Sequence, residues 1–232
     1  LSPRGMSSAA SDVYKRQTTG NMKKIITIII VSLISAQPET PADSLLQSNK
    51  TSIFQKAFIF PIVQWQKISY KSEAFNCQFY PSCSNYCSLA IKEYGSLYGT
   101  IIGLDRITRC NPSALYYHQK INGSYKDEDG RLIDYVSPTF YHKGKKSTVL
   151  STVLAIIPGM GKIYSGRVYD GMYGALNLFA SLKAYSFAKE NQNKMMMNVF
   201  GTTSLIFYIS DIYGSWRAAK YYQPKKIESH EK

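Results

Sequence analysis

Four cysteines and two arginines carry most of the chemistry this chain offers. Cys77, Cys83, Cys87 and Cys110 are separated by five, three and 22 residues, and Arg106 and Arg109 stand just before the last of them. Four thiols can hold zinc, pair as disulfides or supply a nucleophile. Zinc sites usually show a tight cysteine knuckle, and Cys83 with Cys87, one helical turn apart, is a weak one. Beyond the cytoplasm an even cysteine count favours disulfides. A catalytic thiol needs a base beside it, and His118, His142 and His230 stand in no recognisable arrangement. Structural thiols or disulfides therefore lead, zinc on Cys77, Cys83, Cys87 and Cys110 comes second, and a catalytic cysteine third. Arg106 and Arg109, three apart, share one helix face. They can grip lipid phosphates or an acidic partner, or simply stay solvated.

Other candidates are weaker. Gly159-Met160-Gly161-Lys162 lacks the spacing of a phosphate loop and no strand precedes it, so it reads as a break in a membrane helix. Asp127, Glu128 and Asp129 lack the ligand spacing of a calcium loop and read as a solvated turn. Paired carboxylates and a Ser/His/Asp set are missing. These observations point to a non-enzyme without cofactor or small-molecule substrate.

The elements that must position these residues are helical. Ser82 or Ser84 can cap a helix over Ser84–Tyr94, and Gly95 is placed to end it. A second helix runs over Leu97–Arg109, with Pro112 soon after. Gly99 and Gly103 line one side of it, a bare stripe that admits a neighbouring helix; with Gly95 they form an evenly spaced set. Upstream, Ile53–Ser69 is aromatic and apolar and is interrupted by Pro61. It predicts two short amphipathic pieces at an interface, with Trp65 at headgroup depth and Lys56 and Lys67 reaching outward. Packing in a soluble core explains the same pattern equally well. Downstream, residues 117–146 read as a polar loop with a hairpin around Asp129-Gly130.

Hydropathy divides the rest. Residues 1–21 resemble translated adapter sequence and are set apart from the fold. Residues 22–36 have the layout of a signal peptide, with cleavage expected after Ala36; an uncleaved anchor is the alternative. Residues 37–52 form a linker, 53–116 the cysteine-bearing domain, 147–217 a membrane domain and 218–232 a basic tail. Within the membrane domain, Met172–Ala188 and Met195–Trp216 approach bilayer length, and Val149–Pro158 stops early. The fold class expected is all-α: a small helical domain with membrane-associated amphipathic helices, then a transmembrane hairpin or three-segment region. The net charge is +13, and +11 without residues 1–21. The positives flank apolar runs, which favours phospholipid over nucleic acid as partner. Those flanks place both ends of the membrane domain in the cytoplasm, whereas an exporting signal peptide places the first outside.

With these residues read, Cys77–Pro112 resembles the YidD family of bacterial membrane protein insertion efficiency factors. The matching positions are Cys77, Phe79, Pro81, Ser82, Cys83, Ser84 and Tyr86, continuing through Ala90, Ile91, Gly95, Gly99, Arg106, Arg109, Cys110 and Pro112. Gln78, Cys87 and Asn111 depart from the family pattern, and its tail after Pro112 is missing. The resemblance implies a small accessory protein at the inner membrane that assists the insertase and has no established catalytic residues. A second stretch resembles small bacterial membrane domains with the signature P-G-x-G-x-x-Y-x-G-x4-G. Pro158, Gly159, Gly161, Tyr164, Gly166 and Gly171 meet every fixed position. The chain therefore reads as a fusion. Its rivals are an exported, disulfide-braced envelope protein and a zinc-binding membrane protein.

Overall fold

The computed structural model describes residues 40–71, 77–137 and 146–221. The adapter-like tail, the signal segment and most of the basic tail expected from the sequence lie outside the described residues. All described residues fall in one compact unit, Thr40–Lys232.

Helix α1 (Asp43–Gln47) leads into α2 (Ile53–Ser69). Ser52 starts α2 with a reciprocal capping box: its hydroxyl accepts from the Gln55 N–H, and the Gln55 side chain accepts from the Ser52 N–H. Pro61 does not divide α2 into two pieces as the sequence predicts; the helix runs through it. Ile59, Val63 and Gln66 face inward, whereas Phe54, Phe58, Pro61, Trp65 and Ile68 face out. Spacings of three and four residues keep each set on its own side.

Strand β1 (Phe79–Tyr80) is followed by Pro81, preceded by a cis peptide bond, and then by α3 (Cys83–Tyr94). Ser82 is the cap, accepting from the Asn85 N–H. Gly95 turns the chain at φ 85°, where a side chain would be strained, into α4 (Ser96–Arg109). Both helices match their expected limits to within one residue. At Gly99 an added Cβ would lie 2.4 Å from the Ile91 Cα, and at Gly103 2.2 Å from Cys87 Sγ. Two glycines of the stripe thus let α3 and α4 touch, as expected, while Gly95 serves the turn alone.

The expected polar loop is more structured than its composition implies. Helix α5 (Ala114–Lys120) occupies its start, and β2 (Leu132–Ile133) pairs in parallel with β1. A hairpin does form, through a bridge between Tyr125 and Leu132. Asp129 lies at its tip, paired with Arg131 at 2.7 Å.

The C-terminal part contains α6 (Thr148–Leu154), α7 (Met160–Tyr164), α8 (Val168–Glu190) and α9 (Lys194–Tyr221). The two expected spans fall in α8 and α9, but no helix of the described residues is long and apolar enough to cross a membrane. Polar side chains interrupt both runs and are used in packing. Ser204 donates to Ser181 at 3.0 Å, Ser210 donates to the Ile101 carbonyl, and Asp211 and Arg217 are buried. These groups draw α8 and α9 onto each other and onto α4. The expectation of a transmembrane hairpin finds no support in the described helices; the mostly helical character stands, with one two-stranded sheet among the described residues.

Candidate functional site

The inner face of α4 carries Asp105, Arg106, Thr108 and Arg109, all buried. Their spacing of one helical turn puts them on one side, which points into the protein. Arg109 pairs with Asp105 at 2.9 Å and also with Asp134, and Arg106 Nε lies 3.0 Å from the same Asp134. The two arginines are thus neither on lipid nor in solvent, correcting both expectations for them. Asp134, in the stretch read as a polar loop, is the carboxylate that neutralises them.

From Asp105 the network crosses to the C-terminal part. Lys162 Nζ lies 3.2 Å from Asp105 and 3.2 Å from Asp211, and it donates to Thr108 Oγ1 at 3.1 Å. Asp211 in turn accepts from the Gly159 N–H at 2.7 Å. Gly159 has φ 82°, and an added Cβ would strike the Gly171 carbonyl. Gly214 allows α9 to approach: an added Cβ there would meet Asp105 Oδ1 at 2.0 Å. Asn111 donates to the Thr108 carbonyl and to Asp170 at 2.6 Å, and Asp170 also pairs with Arg167. Arg217 donates to Tyr213 Oη and to the Val136 carbonyl.

The signature P-G-x-G-x-x-Y-x-G therefore places Lys162, at one of its variable positions, inside a buried cluster. Sequence reasoning missed Asp105, Asp134, Lys162, Arg167, Asp170, Asp211 and Arg217. Two signals were present: Asp105 stands four residues before Arg109, and Asp211 interrupts an apolar run.

Burial opposes ionisation of Asp105, but Lys162, then Arg109 and Arg217, outweigh it and hold the carboxyl below the usual range. At Asp134 burial is likewise overcome, by Arg109, Arg106 and Arg217. At Lys162 burial is outweighed by Asp105 and Asp211, which raise its affinity for a proton. Carboxyls with lowered values stabilise the fold fully above the ordinary carboxylate range and lose that effect as pH falls through their folded values. A lysine with a raised value stabilises below the ordinary lysine range and loses the effect as pH rises through its folded value. Thermal midpoints should therefore fall below about pH 4, as these carboxyls take up protons, and above about pH 10.5, as Lys162 loses its own. A midpoint that improves on acidification to about pH 3 would contradict this.

The cysteines separate into two environments. Cys77 Sγ lies 3.4 Å from Cys83 Sγ and 3.9 Å from Cys110 Sγ, and the Cys83 N–H donates to Cys77 Sγ at 3.3 Å. Cys110, and then Cys83, hold the Cys77 thiol far below the ordinary range by hydrogen bonding, while Cys83 and Cys110 are pushed up. Cys87 stands apart among Ile59, Val63 and Ile91, where burial pushes its thiol up to about 12. All four are free thiols in the structure, and the four-cysteine zinc set loses Cys87. Arg106 stacks over Phe79 at 3.5 Å and lies 3.9 Å from Cys83 Sγ. Pro81, Ser82 and Ser84 shape the turn into α3, and Tyr86 is buried under Arg106, 5.0 Å from its guanidinium. Pro112 follows Asn111 out of the site. Gln78 and Asn111, two departures from the family pattern, bond each other: Gln78 Nε2 donates to the Asn111 carbonyl at 2.9 Å.

The family model described as "Putative membrane protein insertion efficiency factor" matches residues 54–119, from α2 into α5. Proteins of that name give 51% identity over 37 residues in Clostridium botulinum and 53% over 36 in Lactobacillus johnsonii, each covering 16% of this chain. The match takes in 54% of the first and 37% of the second. In Aquifex aeolicus the identity is 42% over 48 residues, 21% of this chain and 71% of the relative. The chain belongs to the YidD family. The family region ends within α5, so Lys162, Arg167, Asp170, Asp211 and Arg217 come from beyond it and close onto its inner face. No solved structure gives a significant match.

The small cavity beside Arg109, His118, Asp134 and Arg167 has a volume of about 20 Å³, room for about one water. His118 bonds the Ser124 carbonyl at 2.8 Å, and burial lowers its affinity for a proton. The cluster thus acts as a fixed electrostatic joint between the family region and α7–α9.

Proposed function

We propose that this chain is a non-enzymatic accessory factor that assists insertion of proteins into the bacterial membrane, resting on the lipid surface beside the insertion machinery. The observation that carries the reading is the outward face of α2, within the family region. Phe54 is 75% exposed, Trp65 49% and Ile68 61%. A contiguous aromatic and aliphatic face of this kind marks a surface that something apolar covers. The helix has an interfacial pattern, with Trp65 suited to headgroup depth. Val149, Val153, Ile156 and Ile157 around α6 and Leu176, Phe179 and Leu205 on α8 and α9 add further exposed apolar side chains. The grip on lipid is thus apolar, because Arg106 and Arg109 are occupied internally. The inner membrane is the proposed location, and the insertase and phospholipids the proposed partners.

Phe54→Asp combined with Trp65→Asp tests this. Each apolar side chain taken from lipid is worth about 1.5–3 kcal/mol, so binding to anionic vesicles should fall at least about tenfold. Integration of a reporter membrane protein should slow in cells that carry the double variant as their only copy. Unchanged flotation with vesicles would remove the lipid-facing role of α2. Unchanged reporter integration with weakened flotation would remove the accessory role.

A further inference from the structure

We propose that Cys77, Cys83 and Cys110 form a binding site for a thiophilic, tetrahedral metal ion, with zinc the metal to test. The three sulfurs all lie within 4.8 Å of one another. The two separations from Cys77, 3.4 and 3.9 Å, bracket the edge of a zinc–thiolate tetrahedron, about 3.8 Å for bonds of about 2.3 Å. A disulfide would need about 2.05 Å. The ligands converge from separate places: the residue before Gln78 and β1, the first residue of α3, and the residue that closes α4. Folding of the helix pair brings them together, and a metal there would lock that pair to β1.

Charge supports the same assignment. Among the described residues, buried Arg106, Arg109, Lys162, Arg167 and Arg217 face buried Asp105, Asp134, Asp170 and Asp211. Arg106 reaches the sulfurs at 3.9 Å, and its Nη2 makes no hydrogen bond to the described residues. A divalent ion on three thiolates carries one net negative charge, which that guanidinium would offset. Gln78 Nε2, 3.8 Å from Cys110 Sγ, supplies a further donor to a coordinated sulfur. The fourth position falls to water or an external ligand, as in zinc centres with three protein ligands. Binding releases the thiol protons to solvent. Cys87 has no part in the site, because its sulfur is packed against Gly103.

The test uses the full chain, purified in detergent under reducing conditions, stripped of metal and re-equilibrated with zinc or cobalt(II). Elemental analysis after desalting should find about one zinc per chain, and cobalt should produce sulfur-to-cobalt charge-transfer absorption. Cys83→Ser and Cys110→Ser should each weaken zinc binding more than about tenfold, while Cys87→Ser should leave it intact. Folded wild-type protein that retains no zinc and gives no cobalt–sulfur absorption would overturn the proposal. So would zinc lost from Cys87→Ser but kept by Cys83→Ser. If the serine variants do not fold, the wild-type cobalt spectrum alone decides.

Discussion

Asp105→Ala should destabilise the protein by about 3–5 kcal/mol, the cost of removing one partner from a buried ion pair. The carboxylate serves two cations at once, Arg109 at 2.9 Å and Lys162 at 3.2 Å, and all three side chains are at most 3% exposed. All three are therefore shielded from bulk solvent. Arg109 keeps Asp134 and Lys162 keeps Asp211, so the cluster survives with one negative charge fewer beside two buried cations. Denaturant titration in detergent, followed by circular dichroism, measures the loss. Pairing is the cause, so Lys162→Met added to Asp105→Asn should cost less than the two single changes together. Additive costs would show that the two side chains act independently. A single variant within about 1 kcal/mol of wild type would mean that the pair is solvated.

The same residues show where sequence reading reaches and where it stops. Ser82, Gly95 and the glycine stripe defined α3 and α4, because caps and close helix approach have local causes. Arg106 and Arg109 were placed on one face correctly, but helical spacing is identical for a face in water and a face in the core. Their partner Asp134 lies 25 residues beyond Arg109, in a stretch rich in Lys, Asp and Gly that looks solvated. Only the parallel pairing of Phe79–Tyr80 with Leu132–Ile133 brings it in. The C-terminal runs failed for a related reason. Summed hydropathy registers Met, Leu and Ile, whereas Asp211, Ser204 and Arg217 determine which side of α9 turns inward. The polar groups within those apolar runs are here the packing contacts. The thiols were legible as a set of four. Which three converge depends on the direction Cys87 faces along α3, and Gly103 settles it.

Gly99→Ala should cost about 3 kcal/mol, at the upper end of overpacking penalties, and no second substitution should rescue it. The added Cβ would lie 2.4 Å from the Ile91 Cα and 2.5 Å from the Ala90 carbonyl oxygen. Both are backbone atoms of α3, held by the helix's own hydrogen bonds, so relief requires the two helices to separate. Gly103→Ala, one turn along the same face, meets chiefly Cys87 Sγ at 2.2 Å, with the Cys87 Cβ at 2.8 Å. Trimming that sulfur with Cys87→Ala should recover part of the loss at Gly103 and none of the loss at Gly99. Melting curves of the two single and two paired variants separate the cases. Rescue of Gly99→Ala by Cys87→Ala would show that α3 and α4 are not in backbone contact at Gly99. Because Cys83 opens α3 and Cys110 closes α4, a forced separation should also loosen the three-thiol cluster. Cys77, Cys83 and Cys110 should then alkylate faster in Gly99→Ala than in the wild-type protein, a readout that global stability alone does not supply.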